Sequence, residues 1–483
     1  MRIIIAGAGA VGRHLAKLLT SDRHDIVVIN EDASRGEVLA DYDLQVIEGQ
    51  PTQVGVLETA GVAHADLFIG VTPRESDNIL ACCIAKGVGA QKTVARVDNY
   101  EFTRTEYAEH FKRMGVDSVI FPEQLAAQEI IHGLQRSWVR QWWEIHEDLF
   151  MLGIKVRASA PIVGKQLRDV CKPEVPYMVA VVKRNGETLI PRGDEMLLDG
   201  DVAYFLTTRN HIAEIKSITG KEDYGKIRNL IIMGGSTTAI QLLRQLDDNI
   251  HVKVIDQDGQ RCAHLMDACQ RKNTMYLQGD GRDMQLLSEE AFSGERNTQA
   301  FLALTGNAEQ NILACIAAKR SGYRKTVAMI ESLDYVNMAE SFDIGTIINK
   351  KRIAAAHIYH MLLSKDVNNV KSLVIAQADV AEFKVHPGSP ITRCPVRELS
   401  IPSTINLGAL VRDGQTILIN GNTHIQAGDL VTVFCLQHAL TTAEHLFEAP
   451  TQLLDNAVTA VRSKAGSLIA GLARWANKAP HTP

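Results

Sequence analysis

Aromatic residues are scarce in this sequence, and basic residues do not outnumber acidic ones. Phe, Trp and Tyr together make up 5% of the 483 residues, and 51 Lys and Arg stand against 56 Asp and Glu, which gives a formal net charge of −5. Proteins that bind nucleic acid usually present a basic face and often aromatic rings on which bases stack. The composition therefore argues against nucleic acid as a partner.

Long apolar runs are also missing. No stretch of 18 uncharged apolar residues occurs, so the sequence predicts no membrane-spanning helix. The opening segment, MRIIIAGAGAVG, lacks the basic stretch and separate apolar core of an export signal, and we expect a cytoplasmic protein. With 46% hydrophobic and 22% charged residues the chain has the composition of a globular protein, and its length predicts roughly three domains.

Motifs for metal binding and covalent catalysis are absent as well. The eight cysteines form no CxxC pair, so we expect free thiols and no metal site. No Ser-His-Asp motif is legible, and no Tyr-x-x-x-Lys pair occurs. The sequence therefore predicts no catalytic residues.

What the sequence does contain is an internal duplication. Three pairs of segments align in the same order: 3–12 with 230–239, 72–97 with 305–330, and 181–206 with 410–435. Three pairs of blocks in the same order indicate a duplication, so we interpret the chain as two copies of one unit with two parts each.

The first part of each unit alternates strands and helices. Residues 2–6 and 25–30 are apolar runs typical of buried parallel strands, and a helical pattern of apolar residues follows the first of them. This rhythm predicts the α/β fold class, with two tandem Rossmann-like, doubly wound parallel sheets.

The second part of each unit is richer in short strands and turns. Asn185-Gly186 and Asp413-Gly414 are hairpin signals, and we expect a small α+β domain around each. The predicted domains are 1–145, 146–225, 226–367 and 368–449, followed by a tail over 450–483 that can form an amphipathic helix.

Two helical stretches, 122–144 and 351–365, connect the parts. Their apolar faces fit ordinary core packing. They fit a dimer surface equally well, because Trp138, Trp142 and Trp143 cluster in the first of them.

A glycine motif opens the chain. Gly7-Ala8-Gly9-Ala10-Val11-Gly12 fits the pattern G-x-G-x-x-G between a strand and a helix. Gly7 permits the tight turn, Gly9 lets a pyrophosphate approach the backbone, and Gly12 allows close packing of the helix on the sheet. The N–H groups at the helix start then face the phosphates, so the motif predicts dinucleotide or adenine-nucleotide binding.

The residue expected to hold the ribose differs from the usual acid. Asn30 ends the second strand, and Glu31 follows it. Asn30 can donate and accept hydrogen bonds, but it is not a carboxylate. Either the affinity for the ribose is reduced, or Glu31 substitutes for the acid. No arginine cluster follows directly, so we expect no preference for a 2′-phosphate.

The second half shows the reverse pattern. Asp256 supplies the acid, whereas the glycine motif has become Gly234-Gly235-Ser236-Thr237-Thr238-Ala239, with Ser236 at the position of close approach. Either this half binds a nucleotide, or it keeps the fold with a filled pocket.

Taken together, these residues resemble the TrkA-type peripheral subunit family of bacterial Trk potassium-uptake systems, which carry tandem RCK (KTN) modules. The resemblance covers about 1–449. It rests on these motifs: GAGAVG at 7–12, TPRESDN at 72–78, VARV at 94–97, FPEQ at 121–124, TGNAEQN at 305–311 and the GD turns at 200–201 and 428–429.

The resemblance implies roles for individual residues. Residues 7–11 would line the phosphates of NAD, Asn30 would face the ribose, Thr72 and Pro73 would border the nicotinamide or phosphate side, and Arg96 would reach the nucleotide. In the second half the corresponding positions are 234–238 and Asp256, and the arginine position falls at Ile330 or its neighbour.

The resemblance also implies a function. It describes a cytoplasmic regulatory subunit, peripheral at the inner face of the membrane, that binds NAD or NADH, or alternatively ATP or ADP. Its partners would be a transmembrane Trk-type potassium-transport subunit and further copies of itself, in a dimer or a tetrameric ring. Two alternatives stay open: an NAD-dependent dehydrogenase with His146 or His386 as an acid–base group, and a nucleotide or ion sensor for another partner.

Overall fold

The chain forms two compact units, each of which combines equivalent parts from both copies of the repeat. The first contains 1–138 and 223–366, and the second contains 139–222 and the described residues between 373 and 448. The computed structural model describes residues 1–20, 24–32, 39, 42–146, 148–171, 177–289, 299–332, 335–336, 338–339, 342–366, 373–375, 378–436 and 439–448. The tail over 450–483 lies outside the described residues, so the predicted amphipathic helix there stays a prediction, as do the domain boundaries.

The strands run in chain order as β1 (Arg2–Ala6), β2 (Asp25–Asn30), β3 (Gln45–Glu48), β4 (Leu67–Gly70), β5 (Lys92–Arg96), β6 (Ser118–Ile120), β7 (Gln141–His146), β8 (Leu149–Lys155), β9 (Tyr177–Arg184), β10 (Glu187–Leu189), β11 (Val202–Thr208), β12 (Asn229–Met233), β13 (His251–Asp256), β14 (Thr274–Gln278), β15 (Gln299–Ala303), β16 (Lys325–Met329), β17 (Thr346–Ile348), β18 (Leu373–Ile375), β19 (Ala378–Lys384), β20 (Ile405–Arg412), β21 (Gln415–Leu418) and β22 (Leu430–Leu436).

The helices are α1 (Ala10–Thr20), α2 (Val54–Thr59), α3 (Glu75–Val88), α4 (Thr105–Met114), α5 (Pro122–Gln135), α6 (Leu167–Val170), α7 (Ile212–Ile218), α8 (Thr237–Gln245), α9 (Gly259–Cys269), α10 (Met284–Glu289), α11 (Ala308–Arg320), α12 (Lys350–Asp366) and α13 (Leu440–Glu444).

Two parallel six-stranded sheets form the centre of the first unit. Their strand orders are β3-β2-β1-β4-β5-β6 and β14-β13-β12-β15-β16-β17, which is the same order in both halves. The runs Ile3–Ile5 and Leu230–Ile232 are fully buried, as expected of central strands covered by helices on both faces. The predicted fold class, tandem doubly wound sheets with small α+β domains, is confirmed.

The halves of the first unit exchange helices. The last helix of the first half, α5, packs on α8 of the second half, and α12 of the second half packs on α1 of the first. Ile130 of α5 is buried in the hydrophobic core of the second half, and Ile358 of α12 in that of the first. Each half therefore completes the core of the other.

An ion pair joins the starts of these two helices. Lys350 Nζ lies 2.9 Å from Glu123 Oε1 of the first half and 2.7 Å from Glu331 Oε1 of its own half. Burial alone would lower the pKa of Lys350, but the carboxylates of Glu123 and Glu331 outweigh it and raise the pKa. The lysine therefore stays charged at the boundary between the halves.

Two antiparallel five-stranded sheets make up the second unit, with strand orders β10-β9-β11-β8-β7 and β18-β19-β22-β20-β21. The two hairpin signals form the turns β9–β10 and β20–β21, where Asn185 and Asp413 adopt φ values of 50° and 49° ahead of glycines that also have positive φ. A side chain with a short polar group tolerates this left-handed conformation, which is why these dipeptides mark hairpins.

One helical stretch is shorter than predicted. The helix expected over 122–144 ends at Gln135, and Trp142 and Trp143 lie in strand β7. Aromatic residues favour strands when they pack on a sheet face. Trp142 lies 5.5 Å from Phe150 and Trp143 lies 6.0 Å from Tyr204, measured between ring centres, so both contribute to packing within the second unit.

Candidate functional site

The first glycine motif forms a tight turn between β1 and α1. Gly7 has a φ of 116° and donates a backbone hydrogen bond to Ile29 O at 2.8 Å. Any Cβ on Gly12 would lie 1.9 Å from Gly7 O, so only glycine lets the helix start so near the turn. Ala8 is buried in the turn, Ala10 begins α1, and the Val11 side chain packs in the core.

The space above Gly9 is open. A Cβ added to Gly9 would meet no atom within 4 Å, in contrast to the crowded position 12. The first turn of α1 carries no acidic residue that would repel an anion. An open glycine at the start of a helix, with N–H groups that point out of the helix end, is a suitable cradle for phosphate groups. The residues present therefore fit a dinucleotide or an adenine nucleotide.

Asn30 holds the turn through both ends of its amide. Its Oδ1 accepts a hydrogen bond from Ala8 N at 3.0 Å, and its Nδ2 donates to Asp32 O at 2.7 Å. The predicted ribose residue thus lies beside the glycine turn, and half of its hydrogen-bonding capacity serves the backbone.

The far side of the site is built by the loop after β4. Arg96 Nη1 donates to Thr72 O at 3.3 Å, and Arg96 Nη2 lies 2.6 Å from Asp98 Oδ1. Pro73 is exposed next to Thr72. The structure therefore brings together Thr72, Pro73 and Arg96, while Arg96 is already paired with an acid.

Asp98 is an acid in an unfavourable setting. Burial raises the pKa of Asp98, and the carboxylates of Glu123 and Glu75 add to this, although Arg96 opposes them. Glu75 Oε2 in turn accepts the backbone N–H groups of Asp98 and Asn99 at 2.7 and 2.9 Å. These contacts fix the loop after β5 at the edge of the sheet.

The second half has the same turn with a different surface. Gly234 has a φ of 100°, and Asp256 Oδ2 accepts from Gly235 N at 2.7 Å. Ser236 caps α8 through a 3.4 Å hydrogen bond from Ala239 N to its Oγ. The predicted acid is thus adjacent to the turn, and the serine serves the helix end.

Arg261 covers this second turn. Its Nη1 lies 3.4 Å from Asp256 Oδ2, and a Cβ on Gly235 would lie 3.1 Å from Arg261 Cγ and only 2.5 Å from Leu265 Cδ1. Thr237 is exposed, whereas Thr238 is buried. Met329 ends β16 where Arg96 ends β5, so the cationic contact is absent from this position, as the sequence predicts.

A cavity of about 380 Å³ lies between the halves of the first unit. Asp98 and Tyr100 line it from the first half, and Gln241 and Arg244 line it from the second. Arg244 lies over the Tyr100 ring, 4.7 Å from its centre, which ties the loop after β5 to α8 by a cation–π contact.

Two asparagines were not identified as functional from the sequence. Asn78 accepts hydrogen bonds from Thr72 N and Oγ1, both at 2.8 Å, and donates to Thr72 O and Arg96 O. Asn311 makes the equivalent bonds to Thr305 and Met329. The signal was their recurrence in the two aligned blocks.

Arg74 is the other residue that sequence reasoning missed. It lies on the loop after β4, and its Nη2 contacts Glu31 Oε1 at 3.2 Å across the glycine turn. The two residues are far apart in sequence, so no local pattern signals this pair.

Metal-ligand clusters and candidate membrane-spanning helices are both absent from the part of the chain that the structure describes. It contains no group of three or more His, Cys, Asp or Glu side chains placed to share a metal ion. No helix within the described ranges combines the length and the apolar character needed to cross a bilayer. His146 and His386 both belong to the second compact unit.

Comparison with known families identifies all four parts of the chain. The TrkA-N domain family matches residues 3–122 and 230–350, and the TrkA-C domain family matches residues 151–220 and 380–448.

Full-length relatives carry the same arrangement. The chain is 29% identical over 459 residues to the Trk system potassium uptake protein TrkA of Vibrio alginolyticus, which covers 93% of this chain and 99% of that protein. It is also 29% identical over 454 residues to a TrkA homolog of Archaeoglobus fulgidus, across 92% of this chain and 100% of the relative.

Solved structures share the fold at low sequence identity. A crystal structure of the GsuK RCK domain matches with a TM-score of 0.53 and 17% identity, and covers 92% of this chain and 94% of that one. The GsuK channel bound to NAD matches with a TM-score of 0.52 and 15% identity, over 92% of this chain and 78% of that one.

Proposed function

Because the chain belongs to the TrkA family, with two TrkA-N and two TrkA-C domains in tandem, we propose that it is a nucleotide-binding regulatory subunit that gates a membrane potassium-transport protein. In this role the chain performs no reaction on its ligand. Its TrkA relatives are named as potassium-uptake proteins, which supports this assignment.

The observation that carries the proposal is the open glycine turn of the first half. The space above Gly9, the start of α1 and the bond from Ala8 N to Asn30 together form a phosphate cradle. The residues that would hold the nucleotide are those of the predicted site: Gly7, Ala8, Gly9, Ala10, Val11, Gly12, Asn30, Glu31, Thr72, Pro73 and Arg96. Their equivalents in the second half are Gly234, Gly235, Ser236, Thr237, Thr238 and Asp256.

Gating follows from the exchanged helices. Because α5 and α12 each pack in the core of the opposite half, a change in one half on ligand binding alters the surface that the other half packs against. A ligand shifts such an equilibrium only by its difference in affinity for the two states, and a few kcal/mol is sufficient.

The ligand and partner belong to the same proposal. NAD or NADH is the favoured ligand, with ATP or ADP as the alternative, and a solved neighbour binds NAD. The partner is a Trk-type transmembrane subunit, which the protein would contact from the cytoplasmic side of the membrane as a dimer or tetrameric ring.

Calorimetry with NADH, NAD, ATP and ADP tests the first step. Gly9→Asp places a carboxylate in the open cradle and should abolish one class of site. Gly55→Asp is the matched control, because Gly55 also has open space around it and lies outside the site.

Potassium uptake by cells that contain the membrane subunit tests the second step. Uptake should respond to the chain and to its ligand, and Gly9→Asp should remove the response to ligand while Gly55→Asp keeps it. A chain that binds none of the four nucleotides, or binds them with no effect on uptake, contradicts the proposal.

A further inference from the structure

The two halves of the first unit offer an internal comparison at the end of the second strand. Asn30 and Asp256 end β2 and β13, and each accepts a hydrogen bond from the glycine turn, from Ala8 N and Gly235 N respectively. Each also contacts the residue two positions later, Asn30 as a donor to Asp32 O and Asp256 as an acceptor from Asp258 N. Both side chains thus connect the glycine turn to the backbone that follows the strand.

They differ in what they can offer a ligand. A carboxylate has about four acceptor sites, so Asp256 can hold the turn and still accept from a hydroxyl. The amide of Asn30 has one oxygen with two acceptor sites, one of which is taken by Ala8 N, and it carries no charge. In nucleotide-binding sheets an acid at this strand end accepts the ribose 2′-hydroxyl, and Asn30 supplies this function poorly.

An acid is nevertheless present, one residue further on. Glu31 corresponds to Gln257 of the second half, so the carboxylate and the amide have changed places between the halves. Within the first half, the acid sits at the second position rather than the first.

An arginine accompanies the acid in the first half. Arg74 Nη2 contacts Glu31 Oε1 at 3.2 Å, and Arg74 Nε contacts Asp77 Oδ2 at 2.7 Å. The corresponding residue of the second half is Asn307, which carries no charge. The acid at position 31 is therefore paired with an arginine of the loop after β4, whereas Asp256 is paired with Arg261 of α9 at 3.4 Å.

The topology shows where this pair lies. Glu31 follows β2 and Arg74 follows β4, and β1 with its glycine turn lies between those strands. The contact between Glu31 and Arg74 therefore spans the strand end that carries the glycine turn, at the candidate site. The Arg74 backbone is itself anchored, since Arg74 N donates to Thr72 Oγ1 at 3.3 Å and Asn78 holds Thr72.

We propose that Glu31, positioned by Arg74, is the carboxylate of the first half that accepts the ribose 2′-hydroxyl of a bound nucleotide. Oε1 stays on Arg74 while Oε2 accepts the hydroxyl. This inference rests on the proposed nucleotide binding and names the specificity of that site: ligands with a free 2′-hydroxyl bind, and those with a 2′-phosphate are repelled by the same carboxylate.

The test compares ADP with 2′-deoxy-ADP by calorimetry on the full chain. A Ser236→Asp background isolates the first half, because aspartate still caps α8 while its charge repels phosphate from the second turn. In this background Glu31→Gln should lower the affinity for ADP by about tenfold, the size expected for a hydrogen bond to a charged group, and leave that for 2′-deoxy-ADP unchanged.

Three further variants separate this role from a structural one. Asn30→Asp combined with Glu31→Gln should restore ADP affinity, since Asp256 shows that an aspartate fits this strand end. Arg74→Gln should weaken ADP binding and spare 2′-deoxy-ADP, and Arg74→Lys should recover part of the loss. Glu106→Gln, which breaks an equally exposed pair with Arg104 at 2.9 Å, is the control and should change neither ligand.

The outcomes are distinct. Equal affinities of both nucleotides for the protein that retains Glu31, or equal losses for both in Glu31→Gln, would overturn the assignment of Glu31 while nucleotide binding itself stands. Folded protein that binds no ADP in the Ser236→Asp background would instead remove the proposed function of the first half, and this inference with it.

Discussion

The side-chain amide of Asn78 joins the ends of β4 and β5 through both its oxygen and its nitrogen. The stability of the fold therefore depends on that nitrogen, which aspartate lacks. It is 1% exposed, and its Nδ2 donates to Thr72 O and Arg96 O. Asn78→Asp replaces the donor by a charged acceptor against two carbonyls, so we expect a loss of about 3 kcal/mol in the free energy of unfolding, measured with urea.

The same substitution at Asn99 provides the control. Asn99 uses only its oxygen, which accepts from Glu101 N at 2.9 Å, and an aspartate oxygen can do the same. Asn99→Asp should change stability by less than about 0.5 kcal/mol. If Asn78→Asp were equally mild, the four bonds of Asn78 would contribute little to the fold.

His14 makes the stability of the first unit dependent on pH. Burial, with Arg352 and Lys17 nearby, lowers the pKa of His14 to about 4. In the unfolded chain the pKa of His14 is about 6.5, so below this pH the unfolded chain binds a proton that the folded chain does not bind. The free energy of unfolding therefore decreases as the pH falls from 6.5 towards 4. We expect a loss of about 1–2 kcal/mol between pH 7.5 and pH 5, after allowance for partial exposure.

Replacement by glutamine tests this, because Gln241 occupies the equivalent position of the second half. His14→Gln should remove this part of the pH dependence in thermal unfolding, whereas glutamine at the exposed His110 should leave it unchanged. A pH profile that is the same with and without His14 would show that another group is responsible.

At the residue scale the sequence predicts which residues surround the first glycine turn, but not how they pair. The tight turn at Gly7, the open space at Gly9 and the close approach at Gly12 follow from local sterics and could be predicted. The contact between Glu31 and Arg74 depends on the strand order β2-β1-β4, which brings together residues that are distant along the chain. Such a pair leaves no periodic signal.

At the scale of elements, the exchanged helices carry much of the cohesion of the first unit. Ile130 of α5 and Ile358 of α12 are equivalent residues, each 1% exposed and buried in the opposite half. Either substitution by alanine should cost about 3 kcal/mol in urea unfolding, through lost burial and the cavity left behind.

Leu80→Ala is the comparison for these variants. Leu80 is 51% exposed on α3, so its truncation should change stability by no more than about 0.5 kcal/mol. Isoleucine variants as mild as this one would mean that α5 and α12 lie on the opposite halves without stabilising them.

Element boundaries could be predicted wherever the pattern was local. The central strands and both hairpins follow from apolar runs and turn dipeptides. The end of α5 and the start of β7 could not, because the tryptophans there fit a helical face as well as a sheet face, and only packing against Phe150 and Tyr204 selects the strand. The surface that α5 packs against could not be predicted either, because its apolar face fits core packing and a dimer surface equally well.

For the whole molecule, the equivalence of the halves predicts how one half behaves alone. Residues 1–138 contain α5 but lack α8, the helix that covers it. A second copy offers α1, the surface that α12 occupies in the full chain. We therefore expect this fragment to form a dimer by exchange of α5, detectable by light scattering after size-exclusion chromatography.

Ile130→Asp in the same fragment should give a monomer, because the charge would be buried at the centre of the exchanged contact. A monomeric unmodified fragment at the same concentration would show that α5 needs the particular surface of α8.

The duplication itself could be predicted from the sequence. The grouping of equivalent parts into one unit could not, because sequence order places a small domain between the two halves.

The exchange of α5 and α12 within one polypeptide has a further consequence, which concerns concentration. Two separate subunits would find each other only as often as their abundance allows, whereas tethered halves meet at an effective concentration set by the connecting chain. Dilution or low expression cannot separate them, and every molecule contains one copy of each. The two glycine turns are thus inherited as a fixed pair, so each can change without the constraint of pairing with an identical copy of itself.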